Sequence, residues 1–125
     1  MMKFYKCKVC GNIVTYIEDK GTPLSCCGQQ MVELIPGETD AAVEKHVPVV
    51  LVEGDHVIVK VGEISHPMTA EHLIQWIVLE TNQGSRIKYL DETMEPQAAF
   101  VLRVNEIPLA VYEYCNLHGL WKKTI

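Results

Sequence analysis

Two sets of residues in this chain have the types and spacing of metal ligands. The first is all cysteine. Cys7 and Cys10 are separated by two residues and are followed by Gly11. Such a turn brings two thiolates together, and the glycine tolerates the positive φ needed afterwards. Cys26 and Cys27 follow fifteen residues later. A C-x2-C with a second pair at this distance is a strong metal signal, with a disulfide pair as the weaker reading. The second pair is adjacent, so it cannot form another symmetrical knuckle. Two neighbouring side chains must converge on one metal, which predicts a distorted tetrahedron. Spacing alone allows zinc or iron in an S4 site.

The second set is rich in nitrogen. In Tyr114-Cys115-Asn116-Leu117-His118-Gly119 a Cys and a His three apart, closed by a Gly, aim two ligand atoms at one point. Three other segments offer partners: Glu44-Lys45-His46-Val47-Pro48, His66-Pro67-Met68 and Glu71-His72. Taken singly, each of these histidines is more often structural or superficial. Taken together, each lies beside a turn or a strand start. Four imidazoles and one thiolate suit iron, copper or zinc. Five ligands overfill a structural tetrahedral zinc site, which favours redox iron with one position open. His56, beside Asp55 in a hairpin turn, reads as solvent-exposed.

Other segments must position these residues. The chain has 125 residues, enough for one ordinary domain or for one small module plus one modest domain, and its 48% apolar content argues against disorder. Residues 1–36 carry four Lys against three acids, whereas residues 37–125 carry seven Lys+Arg against thirteen acids. No segment is basic enough for a phosphate-binding face, which argues against nucleic acid. The N-terminus has no apolar h-region and no window reaches ~18 apolar residues, so we expect a soluble protein, not exported and not in a membrane. Five cysteines in a reducing compartment point to metal or redox chemistry before disulfides.

In residues 1–36, Phe4–Lys6, Ile13–Ile17 and Met31–Leu34 are strand candidates, and Pro36-Gly37 breaks the chain. So short a segment cannot bury enough apolar surface to be stable alone, and a metal would supply the missing stability. Glu38 to Glu44 reads as a linker. Strands are then predicted at Val47–Val52, Val57–Val61, Leu73–Leu79, Arg86–Leu90, Ala98–Val104 and Leu109–Tyr114. In Ala98–Val104, Phe100, Leu102 and Val104 alternate against Arg103 as in a half-buried strand. Six or so short strands with turns between them suggest a β-sandwich or barrel.

With both sets on the page, the whole sequence resembles desulfoferrodoxin, the two-iron form of superoxide reductase. Residues 1–36 look like its desulforedoxin-type module, because Cys7, Cys10, Cys26 and Cys27 reproduce the C-x2-C-x15-C-C pattern with its adjacent pair. Residues 37–125 look like its catalytic domain, with the segments around His46, His66, His72 and Cys115–His118 in the same order. The resemblance implies an all-β protein: the small Fe(Cys)4 module, then an immunoglobulin-like seven-stranded β-barrel or sandwich. It implies a second iron with His46, His66, His72 and His118 in a plane and Cys115 below, the sixth position facing solvent. Zinc could substitute in the first site. Superoxide would be reduced to hydrogen peroxide without release of dioxygen, and the iron re-reduced by a rubredoxin-like donor. A cytoplasmic homodimer is implied as well. Lys45 precedes a ligand histidine, so its ammonium can approach the open position, and Glu44 could reach the metal once product leaves. These two are expected to take part in catalysis. The main rival is a small electron-transfer protein whose two irons only shuttle electrons. A zinc-ribbon interaction module and a dismutase are the others.

Overall fold

Alternation of buried and exposed residues is clearest in Val57, Val59 and Val61, which are buried while His56 and Lys60 between and beside them are exposed. One such face cannot stay in water, and the fold follows from covering it. The computed structural model describes residues 1–38, 46–62 and 64–125, and divides into two compact units, Met1–Ile35 and Pro36–Ile125. There is no helix among the described residues, hence none long and apolar enough to cross a membrane.

In the first unit, β1 (Phe4–Lys6) pairs antiparallel with β2 (Ile13–Thr15) on one side and with β5 (Val32–Glu33) on the other. A separate ladder joins β3 (Ser25–Cys26) to β4 (Gln29–Gln30). The third expected strand begins one residue later than the sequence suggests, and the β3–β4 hairpin is an addition to it. Its two central residues, Cys27 and Gly28, both have positive φ, 51° and 72°. That is the backbone of a type I′ turn, whose twist matches the flanking strands. Phe4, Cys7 and Met31 are the buried apolar side chains of this unit among the described residues. A core of this size is too small to hold the chain by itself.

Among its described residues the second unit has seven strands: β6 (Pro48–Glu53), β7 (His56–Val61), β8 (Ile74–Thr81), β9 (Gly84–Tyr89), β10 (Gln97–Val101), β11 (Pro108–Cys115) and β12 (Gly119–Thr124). They form two antiparallel sheets, ordered β10-β7-β6 and β12-β11-β8-β9. Three strands facing four is the immunoglobulin-like sandwich. The sheets do not close into the barrel that was one expectation. Val57, Val59, Val61 and Phe100 from one sheet pack with Ile74, Ile77, Leu79 and Val111 from the other. The strand β12 is absent from the residue-by-residue reading, since Leu120-Trp121-Lys122-Lys123 shows little alternation. It pairs along β11 from Ala110↔Thr124 to Cys115↔Gly119. The alternation expected through Val104 stops earlier: β10 ends at Val101, the Leu102 amide donates to Asp55 O at 2.6 Å, and Val104 is 86% exposed. Asn105, with φ 61°, then turns the chain.

Glu106 ties that turn to the four-stranded sheet. It accepts hydrogen bonds from the Arg103 amide at 2.8 Å and the Thr81 hydroxyl at 2.6 Å, and it pairs with Arg86. The Arg103 amide first, then the Thr81 hydroxyl and Arg86, hold its carboxyl down to about 2. A depressed acid stabilises the fold fully above its unfolded value and loses that contribution as pH falls through the folded value. The advantage of wild type over Glu106→Gln in urea midpoint should therefore be full at pH 7 and shrink between about 4.5 and about 2. A pH-independent difference would show that the carboxylate charge is not what holds this corner.

Candidate metal centres

The first centre is built by two turns of different kind. Cys7 and Cys10 flank a knuckle in which the Gly11 amide donates to Cys7 O at 3.0 Å and Gly11 has φ 82°. Cys26 ends β3 and Cys27 occupies the first turn position. Adjacent residues on a strand point to opposite faces. The left-handed φ of Cys27 redirects its side chain, so that Cys26 Sγ and Cys27 Sγ lie 3.9 Å apart. Cys10 Sγ is 3.6 Å from Cys26 Sγ. Bonds of ~2.3 Å to a tetrahedral ion put neighbouring sulfurs ~3.8 Å apart, and these separations fit. They are far from the ~2.05 Å of a disulfide.

Charge at this centre is unevenly stabilised. The Cys10 amide donates to Cys7 Sγ at 3.4 Å and, as the first of several causes, pulls the Cys7 thiol down to about 6. Hydrogen bonding to Cys10, followed by Cys26, pushes Cys27 up to about 12. Cys26 is raised as well, again chiefly through Cys10. One thiolate forms readily here, but four need a cation among them.

The second centre gathers three connections at one end of the sandwich. His46 lies just before β6, His66 and His72 between β7 and β8, and Cys115 and His118 flank the β11–β12 turn. Their five ligand atoms lie within 4.8 Å of one another, as do the four cysteine sulfurs of the first centre. The imidazoles touch edge-on in a closed circuit. Ring centroids are 4.9 Å apart for His46–His66, 4.7 Å for His66–His72, 5.2 Å for His72–His118 and 4.6 Å for His118–His46. Each ring thus neighbours two others, as four ligands do around a square.

Individual atoms can be assigned. His46 Nε2 and His118 Nδ1 are 3.0 Å apart, the separation of ligands at a right angle with ~2.1 Å bonds. The His66 Nδ1–H donates to Pro67 O at 2.7 Å, which leaves Nε2 to carry the lone pair. Cys115 Sγ is 3.7 Å from His118 Nδ1. Cys115 is fully buried and packs in the core cluster, whereas His118 is exposed. The thiolate therefore sits on the core side and an imidazole on the rim. Two open sets of soft and borderline donors at these distances fit transition-metal ions. His56 is not part of either centre; it is exposed and bonded to Asp55 at 2.7 Å. Glu44 and Lys45 lie outside the described residues.

Two supporting residues escape a reading of ligand spacing. Asn116 Oδ1 accepts the Leu73 amide at 3.0 Å, and its Nδ2 donates to Glu71 O at 2.8 Å. It staples the loop of His72 to the loop of Cys115. Trp121 stacks on His46 with centroids 4.8 Å apart. Asn116 follows a candidate ligand in sequence, which was the only available signal.

Fold and sites together define an all-β protein with two mononuclear metal centres, one of sulfur and one of nitrogen and sulfur. The family model of desulfoferrodoxin matches residues 38–124, and that of the desulfoferrodoxin N-terminal domain matches residues 1–34. Desulfoferrodoxin from Syntrophotalea carbinolica is 47% identical over 120 residues, covering 96% of this chain and 94% of its own length. A superoxide reductase from Pyrococcus horikoshii is 38% identical over 99 residues, covering 66% of this chain and 86% of its own length. The crystal structure of the superoxide reductase from Treponema pallidum superposes with TM-score 0.86 at 34% identity, covering 99% of this chain and 98% of that one. The chain belongs to the desulfoferrodoxin family.

The staple gives a direct expectation. Asn116→Ala removes two hydrogen bonds worth about 1–3 kcal/mol together. Loss of such ligand support typically weakens metal binding by about 10–100-fold. Competition with a chelator should reveal this at the histidine centre while the four-cysteine centre keeps its affinity; equal weakening of both would contradict the assignment.

Proposed function

We propose that this chain is a superoxide reductase that works at the centre of His46, His66, His72, His118 and Cys115. The observation that carries the reading is the closed circuit of four imidazoles with one buried thiolate within reach of them. When bound there, iron supplies the single electron that reduces superoxide, and two protons complete hydrogen peroxide with no dioxygen released. Cys115 donates electron density from the core side. The imidazoles would hold the ion, and a small anion would approach past the exposed His118. The core around Val61, Ile74 and Cys115 keeps water from the thiolate.

The four cysteines of the first unit are read as a second iron centre, with zinc as a substitute. Restoring the reduced state calls for a one-electron donor, for which we propose a rubredoxin-like protein. A reducing cytoplasm suits a chain in which no disulfide forms among the described residues. A homodimer is supported by apolar side chains on the outer face of the three-stranded sheet, including Leu51 at 50% and Val101 at 56% exposure.

Pulse radiolysis with an oxygen electrode tests the activity. Superoxide should decay stoichiometrically with reduced centre and evolve no dioxygen, and azide should perturb the spectrum of the histidine centre. Dioxygen evolution would mean a dismutase; no azide effect and no superoxide decay would mean an electron carrier. Cys115→Ser should lose the sulfur-to-iron charge-transfer band and the activity. Cys26→Ser should lose the bands of the first iron yet keep superoxide reduction.

Substrate attraction is assigned to Lys45 and capping of the oxidised centre to Glu44. Residues 37–125 have six more acids than bases, so a local cation must offset their repulsion of an anion. A unit charge pair at roughly 6 Å is worth about 0.7 kcal/mol in water and about 2.8 at an effective dielectric of 20. Lys45→Ala should therefore slow the second-order reaction roughly three- to a hundredfold and weaken its salt dependence. Glu44→Ala should leave that step unslowed and change the resting oxidised spectrum. If Glu44→Ala proves the slower variant, the roles are wrongly assigned.

A further inference from the structure

Trp121 is not a ligand, yet it touches two of them from one position. Its indole lies nearly parallel to the His46 imidazole, with centroids 4.8 Å apart and planes at 15°. Its Nε1–H donates to His118 O at 3.2 Å. The indole is itself fixed on both sides of the chain. Trp121 pairs with Glu113 in β11, and Gly37 forms a parallel bridge to it. The Gly37 amide donates to Leu120 O at 2.9 Å, and the Lys122 amide donates to Gly37 O at 2.8 Å. A Cβ at Gly37 would stand 2.6 Å from Trp121 Cε3. Side-chain carbons do not approach so closely, so only glycine lets the six-membered ring lie against this backbone.

From this geometry we infer that Trp121 is a positioning residue that fixes the ring plane of His46, and that Gly37 is glycine because the indole needs that space. The inference rests on the metal-centre reading above. A histidine bonds a metal through a lone pair in the plane of its ring. The χ2 torsion that turns this plane has a broad well and does not hold it unaided. For His66 a hydrogen bond to Pro67 O sets the plane. For His46 the stacked indole does so, and the bond to His118 O ties the same side chain to the loop of a second ligand. His46 and His118 are the ligands whose nitrogens stand 3.0 Å apart. One indole thus governs a neighbouring pair in the square.

The test uses the full chain loaded with cobalt(II). Imidazole N–H protons shifted by the paramagnetic ion arise only from the histidine centre, and their disappearance on adding a chelator gives the loss rate. Trp121→Leu keeps bulk but neither contact, and should release cobalt about 10–100-fold faster. Gly37→Ala touches no ligand and should reproduce that effect and the same displaced His46 signal. Trp121→Phe restores a stacking ring without the N–H, and should stay within a few-fold of wild type while the His118 signal moves. Wild-type loss rates in both Trp121→Leu and Gly37→Ala would overturn the inference. So would a Phe variant as fast as Leu, since stacking would then not be the cause. Absence of shifted imidazole protons in the wild type would instead overturn the metal-centre reading on which the inference stands.

Discussion

Four imidazoles in one van der Waals circuit, with a buried thiolate among their neighbours, crowd five donor atoms into a space that a cation stabilises. Their lone pairs converge on one point, and His46 Nε2 and His118 Nδ1 stand only 3.0 Å apart. Bringing five such donors together costs free energy that metal binding must offset, and the surrounding structure must keep them converged until the ion arrives. The sandwich does so by rigidity. Cys115 closes the ladder of β11, one of the two inner strands of the four-stranded sheet, and is anchored on both sides by Ile74 and Gly119. Asn116 and Trp121 then tie the segments of His72 and His118 to that end.

The two centres solve the same problem with different means. In the second unit, two sheets build an apolar core that holds Cys115 within it and carries the histidines at one end. In the first, Phe4, Met31 and Cys7 are nearly all the core available. There the amides of the knuckle and the asparagine at Asn12, whose Nδ2 is 3.8 Å from Cys26 Sγ, supply partial positive charge to the sulfurs. The elevated Cys26 and Cys27 thiols express how little of the total charge this handles.

Burial separates the roles further. A thiolate in the core, at Cys115, is screened from water and interacts strongly with whatever binds above it. An exposed imidazole at His118 leaves that edge of the centre open to solvent. Neither feature follows from ligand identity; both follow from where strand β11 ends relative to the core.

The sequence by itself determined the two ligand sets, because coordination chemistry restricts them to cysteine and histidine at turns, and such residues are few. It also determined that the chain is all-β, since period-two alternation and Gly-rich turns are local signals: Val57–Val61 shows it plainly. Other features depend on contacts between segments distant in sequence. β12 was hidden because Trp121 and Lys122 acquire their burial only by pairing with β11. The open sandwich, in place of a barrel, depends on how the two sheets stack. The convergence of adjacent Cys26 and Cys27 needed the left-handed turn that their hairpin imposes. The support of His46 by Trp121 spans 75 positions of chain. No spacing rule reaches that far, and only the packed structure decides which aromatic ring lies against which ligand.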